Sequence, residues 1–313
     1  MRMESLETGP RLRPVRPPTP PAGRRSLPGV ALEADDWVTR AFMLAGDALA
    51  RYHRHRVVHL ERLLRVLRRG RRVVLVANHA LDIVDPLLFV LALYRRVGRV
   101  PRFIGHENGW FRVPILRAIS ARYGVIPSRR PEEARHALTR DGLLMLFPGS
   151  NTEALMRCYR DEPYRLRWEN RSGFLRLALE ADAEMVFVAA LGNEELYYQS
   201  RLGTPGALVA LVNAGDGERY RGAPLTFGLL GPHLLPGIFP WPVRLTHVVS
   251  PPLLLGDRAA ALRDPEVFAA LHRRVWSECQ HFLDQVVARR ERYADLADRT
   301  VRAGATWLQR LGA

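Results

Sequence analysis

Lysine is missing altogether from these 313 residues, and all 47 basic side chains are Arg. Without a lysine ammonium, Schiff-base catalysis and the phosphate-binding lysine of a P-loop are both excluded. Cysteine is nearly absent too. Cys158 and Cys279 can build neither a disulfide framework nor a four-ligand zinc site, which points to a reducing, cytoplasmic setting. No Gly-x-Ser-x-Gly occurs, so a serine hydrolase of the nucleophile-elbow type is not expected. Long uninterrupted apolar runs are also missing. The nearest, Pro224 to Val243, has no formal charge but is broken by five Pro and three Gly, which forbid a straight membrane-spanning helix. Its apolar side chains, among them Phe227, Leu235, Phe239 and Trp241, fit an acyl-chain channel, a segment dipping into a membrane surface, or a loop folded over the core.

What the chain does have is enough apolar residue, 47%, to build one large domain or two small ones, and a net charge of +15. Residues 1–72 hold +9 of that charge. Residues 1–30, with seven Pro, six Arg and few large apolar side chains, read as a disordered tail without the apolar region of a secretory signal. Residues 31–72 read as amphipathic basic helices. Within them, Arg51 to Arg72 carries nine Arg against the single Glu61, interleaved with Val57, Val58, Leu60, Leu63, Leu64, Val66 and Leu67. Such a segment can lay its apolar stripe into an anionic membrane surface, or pack on the domain with its Arg face in water. Nucleic acid is not an expected partner, because no familiar binding motif appears and aromatics are not clustered near the Arg.

From Arg72 onward short apolar runs alternate with helical stretches. VVLVA at 73–77 precedes a helix over Pro86 to Tyr94, and RFIG at 102–105 precedes one near 110–122. GVIP at 124–127 precedes a helix near 131–140, and LLMLF at 143–147 leads to a helix from Trp168 to Ala181. MVFVAAL at 185–191 and Arg244 to Val249 are further strands, helices near 264–292 and 294–311 close the chain, and Asp36 to Ala50 opens the folded part as a helix. This rhythm predicts an α/β fold with a mixed, largely parallel central sheet flanked by helices, spanning residues 73–256, with residues 257–313 packed on it as C-terminal helices.

In such sheets functional residues gather in the loops after the strands. The loop after VVLVA reads Asn78-His79-Ala80-Leu81-Asp82-Ile83-Val84-Asp85-Pro86. A histidine beside a carboxylate suits a general base, since the carboxylate fixes the tautomer and stabilises the imidazolium formed on proton uptake. Asp85 and Asp82 both stand within reach of His79 in sequence.

Asn78-His79 followed by Asp85-Pro86 resembles the glycerolipid and lysophospholipid acyltransferase superfamily, with its Asn-His and Asp-Pro pair. Five residues separate His79 from Asp85 where four are usual, a spacing similar to the monoacylglycerol and diacylglycerol acyltransferase branch. Because Pro86 and Leu87 follow Asp85, the resemblance favours Asp85 over Asp82 as partner of His79. A second block, Gly124-Val125-Ile126 with Arg130 four residues on, matches the family's headgroup-binding motif. A third reads Phe147-Pro148-Gly149-Ser150-Asn151-Thr152-Glu153, where the family usually has Phe-Pro-Glu-Gly-Thr-Arg-Ser. Gly149 and Thr152 thus replace an acid and an arginine, a departure that speaks against a phosphorylated glycerol acceptor. Arg171 with Gly173-Phe174 looks like a further block of the same branch. The resemblance covers residues 50–256 and implies a glycerol-3-phosphate acyltransferase-like fold.

It also implies an O-acyltransferase that moves a fatty acyl group from acyl-CoA or acyl carrier protein, as co-substrate, to a lipid hydroxyl. No cofactor and no metal are called for. His79 and Asp85 are the implied catalytic pair. Asn78, Arg130, Phe147, Pro148, Gly149, Ser150 and Glu153 are the implied substrate-binding residues, with the Gly149 and Ser150 N–H groups near the reacting carbonyl. An esterase or thioesterase on the same fold, and a non-catalytic lipid-binding protein, stay open. The expected location is the cytoplasm, peripherally associated with the inner face of the plasma membrane through Arg51 to Arg72.

Overall fold

A computed structural model describes residues 29–31, 37–80, 84–105, 123–150, 163–203, 224–229, 231–233 and 240–290, with Arg117, Ser120, Glu153 and Arg299 as further single residues. Twelve strands and seven helices lie among these. In chain order the strands are β1 (Val30–Ala31), β2 (Arg56–Val58), β3 (Val73–Ala77), β4 (Arg99–Val100), β5 (Arg102–Gly105), β6 (Ile126–Pro127) and β7 (Leu143–Leu146). They continue as β8 (Glu184–Leu191), β9 (Tyr198–Gly203), β10 (Pro224–Gly228), β11 (Gly231–His233) and β12 (Thr246–Leu253). The helices are α1 (Trp37–Tyr52), α2 (Leu60–Arg68), α3 (Val84–Val97), α4 (Pro131–Asp141), α5 (Gly173–Glu180), α6 (Arg258–Arg263) and α7 (Pro265–Ala288).

Seven strands form the principal sheet in the order β2-β12-β8-β3-β7-β5-β6. Five of its six contacts are parallel, and β12 meets β8 antiparallel. The sheet is therefore mixed and largely parallel, as the strand-helix rhythm predicts. Its central strands are continuously apolar because both faces are covered. From β3, Val74 and Val76 enter one core with α4, α5 and α7, while Val73, Leu75 and Ala77 enter the other with α2 and α3. Helix boundaries follow local chemistry. Pro131 opens α4 and Gly142, at φ 74°, ends it with its N–H on Leu138 O, while the Asp264 carboxylate caps α7 by accepting from the Glu266 and Val267 N–H groups.

Several expectations are corrected. Arg51 to Arg72 follows the second of its two readings, packing on the domain, but it is not helical throughout: Arg56–Val58 is the edge strand β2, and α2 turns Leu63, Val66 and Leu67 into the core. A period-3.6 apolar pattern fits a helix packed on a sheet as well as one lying on a membrane, and here the sheet takes it. The expected tail reaches Val30, yet Gly29 donates its N–H to Asp141 O and Val30 pairs with Val100. Helix α5 starts at Gly173 rather than Trp168, because the Trp168 side chain is buried and Arg171 N–H closes a turn onto Trp168 O. The helix expected near 264–292 is α7, and a short helix, α6, that was not expected precedes it, parted from it at Asp264. The Pro-rich stretch supplies β10 and β11, which form a small antiparallel sheet with β9. The helices expected near 110–122 and 294–311 lie, but for single residues, outside the described residues.

Candidate active site

Both β3 and β7 release their chains at the same end of the sheet, at its centre, where the order of connections reverses from one side of β3 to the other. Asn78 leaves β3 there. Its side chain extends the ladder, with Nδ2 donating to Ala190 O at 3.0 Å and Oδ1 accepting from Ala190 N–H at 2.7 Å. The amide expected to touch substrate is thus held at both ends by β8, and it fixes where His79 starts.

The His79 N–H donates to Glu153 Oε2 at 3.0 Å, and Arg167 N–H donates to Glu153 Oε1 at 2.6 Å. A buried carboxylate therefore bridges the His79 loop to the segment entering α5. Gly149 permits it, since a Cβ at that position would collide with the Glu153 carboxyl. Phe147, one residue past β7, stacks on the His79 ring with centroids 4.7 Å apart and 28° between planes. His79, Phe147, Gly149 and Glu153, named from sequence as one site, come together.

The imidazole Nδ1 of His79 is buried without a hydrogen-bond partner among the described residues. Burial holds the ring below the ordinary histidine value, and the nearby Asp85 charge pulls the other way. Asp85 sits in the first turn of α3, 2% exposed. The hydrogen bond from His79 to Asp85 expected from sequence is not formed here, so the carboxylate acts on the ring through its charge. Asp85 Oδ1 instead lies 3.7 Å from Nε2 of His247, a residue of β12 that sequence reasoning passed over.

Other expected residues stand apart. Arg130 is exposed at the start of α4, with NH1 2.8 Å from Glu133 Oε1. It follows β6, the outermost strand, three places from β3 and so roughly 14 Å away at ordinary strand spacing. The Ser150 N–H is committed to Phe147 O at 3.0 Å in a turn with Ser150 at φ 48°, which corrects its expected place as a donor to the reacting carbonyl. Gly149 N–H has no acceptor among the described residues. Pro148 is buried in the same turn. Asp82 lies outside the described residues, as do Asn151 and Thr152.

The back of the site is tied down by a second buried network. Both Glu194 carboxylate oxygens accept from Tyr164 N–H, and Tyr164 OH donates to Glu195 Oε1 at 2.8 Å while accepting from Gly192 N–H at 2.9 Å. Arg290 meets Glu195 with both terminal nitrogens. No group of three or more histidine, cysteine or acidic side chains arranged for a metal occurs among the described residues.

Residues 56–190, from the first residue of β2 to Ala190 in β8, match the family described as Acyltransferase. A Gallus gallus protein described as a DGAT1/2-independent enzyme synthesizing storage lipids is 31% identical over 112 residues, 36% of this chain and 32% of its own length. The chain thus matches about a third of that relative. Among solved structures, the 1-acyl-sn-glycerophosphate (LPA) acyltransferase PlsC from Thermotoga maritima aligns with a TM-score of 0.44 and 14% identity, over 82% of this chain and 85% of that one. His79, Phe147, Gly149 and Glu153, assembled at the sheet centre, all lie inside the segment 56–190 that is similar to the acyltransferase family.

Proposed function

We propose that the protein transfers a fatty acyl group from a thioester, acyl-CoA or acyl carrier protein, to the hydroxyl of a glycerolipid, with His79 as general base and no covalent intermediate. The observation that carries this is the His79 ring itself, kept neutral by burial, stacked on Phe147 and placed within the field of the Asp85 carboxylate. A neutral imidazole can accept a proton, and a neighbouring carboxylate stabilises the cation that results. The acceptor oxygen attacks the thioester carbonyl carbon as its proton passes to His79 Nε2. The tetrahedral intermediate then collapses, the C–S bond breaks, and the thiolate leaves with the proton from His79. Gly149 N–H is the donor we assign to the oxyanion.

A neutral glyceride is the favoured acceptor class. Gly149 and Thr152 stand where the family usually has Glu and Arg, and the Gallus gallus relative is described as synthesizing storage lipids. Arg130, exposed and remote from His79, suits the donor's phosphates or an acceptor headgroup rather than the reacting atoms. We place the enzyme on the cytoplasmic face of a membrane, where such acceptors reside.

The test is release of free thiol from palmitoyl-CoA by wild type and His79→Ala, with monoacylglycerol, diacylglycerol, lysophospholipids and long-chain alcohols as acceptors and products identified by mass. An acylated lipid that disappears in the variant, with a loss of about 100-fold or more, supports the transferase. Thiol release yielding only free fatty acid would support a thioesterase. Equal activity in both proteins would remove His79 from the chemistry.

A further inference from the structure

The His79–Asp85 pair does not end at Asp85. His247 is 1% exposed and lies on β12 directly across from Ala190, the residue whose backbone holds Asn78. Its ring packs on Phe89, centroids 5.3 Å apart, and Phe89 stands one helical turn after Asp85 on the same face of α3. The imidazole is thereby seated beneath the first turn of α3. Its Nε2, buried and without a hydrogen-bond partner among the described residues, is 3.7 Å from Asp85 Oδ1. Its Nδ1 is 2.9 Å from Nε2 of His55, which precedes β2.

This contact fixes a direction. Two bonded histidines need one donor and one acceptor, so the proton is on either His55 Nε2 or His247 Nδ1. In a neutral His247 the second choice would leave the Nε2 lone pair aimed at the Asp85 carboxylate. The first puts an N–H there instead, and charge selects it. His55 stays neutral throughout: burial first, then His247 and His53, lower it to about 2. The ionisable groups facing His247 are Asp85 from α3 and His55 from the segment before β2, with His79 beyond Asp85 and His53 beyond His55.

We propose that His247 is a positioning residue for the acyl transfer: His55 donates to its Nδ1, its Nε2–H is directed at Asp85, and the carboxylate is thereby held toward His79. Resting on the base role of His79, this adds a three-residue string, His55, His247 and Asp85, drawn from three separate parts of the chain. Its action is on the orientation of the carboxylate when His79 takes the proton, so its effect belongs to kcat. Substrate binding does not pass through it.

The experiment compares His247→Leu, His247→Gln, His55→Phe and His55→Phe/His247→Leu with wild type and His79→Ala, in full-length protein. Each is measured for kcat, for KM of palmitoyl-CoA and for melting temperature. His247→Leu should lower kcat about 10-fold with KM changed by less than about 2-fold, as for loss of an interaction made only in the transition state. The Gln side chain keeps an N–H near the Nε2 position, and His247→Gln should recover kcat to within about 3-fold of wild type. Because His55 acts through His247, the double variant should be no slower than His247→Leu alone. Wild-type kcat in His247→Leu would overturn the proposal, as would equal losses in the Leu and Gln variants that follow their melting temperatures. Should His247→Leu fail to fold, His55→Phe decides, through a kcat lowered about 3-fold or unchanged. A fully active His79→Ala would defeat the base assignment itself, whereas an inactive His79→Ala beside a wild-type His247→Leu would defeat the string alone.

Discussion

At the scale of single residues, the site is governed by what happens to charge in a buried place. His79 is lowered below the ordinary histidine value by burial, against a partial rise from Asp85. A base must be neutral to work, so activity should persist as pH falls below 6.5, the usual histidine value. Asp85→Asn removes the only cause that raises the ring, so the acid limb of kcat/KM should move to still lower pH even as kcat falls. A pH–rate series on both proteins checks the sign, and a limb that moves upward would contradict it. Gly149 offers a second check. An Ala there must displace the Glu153 carboxylate from the His79 and Arg167 N–H groups, so Gly149→Ala should lower kcat about 10-fold and reduce the melting temperature. In the sequence, His79 and a nearby acid stand out by local spacing, while Asp85, Phe147, Gly149 and Glu153 are named through the resemblance of their blocks to the acyltransferase superfamily. Neither route could name His55 and His247, because they stand 192 residues apart and neither has a telling neighbour.

Among the elements, the sheet was legible wherever a strand is apolar on both faces, as in β3, β7 and β8, since no other short element is continuously apolar. What stayed hidden was short or half-polar. The three residues of β2 sit inside an Arg-rich helical pattern, and β9 to β11 are interrupted by Gly and Pro. With the α2 stripe buried, the apolar face available to a membrane moves to α1. Trp37 and Leu44 there are 73% and 70% exposed, on a face shared with exposed Ala41, Ala48 and Tyr52 and flanked by exposed Arg40 and Arg51. Among the described residues no helix is long and apolar enough to cross a membrane. A helix with such a face can lie in a membrane interface, where Arg would add attraction to anionic lipid. The protein should pellet with phosphatidylglycerol vesicles at low salt. Trp37→Ala/Leu44→Ala should reduce the bound fraction at least about 5-fold while leaving solution melting unchanged, since these side chains touch water in the protein alone. Undiminished pelleting would assign attachment elsewhere.

Across the whole molecule, acid is the condition to which the fold is most exposed. His53 is fully buried, its Nδ1–H donates to Val243 O, and burial lowers it to about 4, with that bond a smaller opposing effect and Arg54 a smaller added one. The unfolded chain takes up the proton near pH 6.5 and the folded one only near pH 4. Stability therefore falls as pH drops through that window, by roughly 3 kcal/mol when the drop is complete. His55, at about 2, extends the loss to lower pH. Melting temperature should decline steadily from pH 7 to pH 4, and His53→Asn, which keeps a donor for Val243 O, should flatten that decline. A melting temperature independent of pH over this range would show that His53 is not neutral in the fold.

The antiparallel seam between β8 and β12 has a consequence for how the molecule comes into being. Among the described residues β2 pairs only with β12, and β12 also covers the outer edge of β8, so residues 56–58 wait for residues 246–253 before they have a strand neighbour. A ribosome must deliver nearly 200 further residues after β2 before the sheet can close. Until then β8 presents an unpaired, apolar edge of the kind that recruits other chains. The segment 56–190 by itself should therefore aggregate when expressed, and extending it through Leu253 should restore solubility. On the same timetable His247 is the last to arrive of His55, His79, Asp85 and His247, so this group of four is brought together only as the sheet closes its own edge.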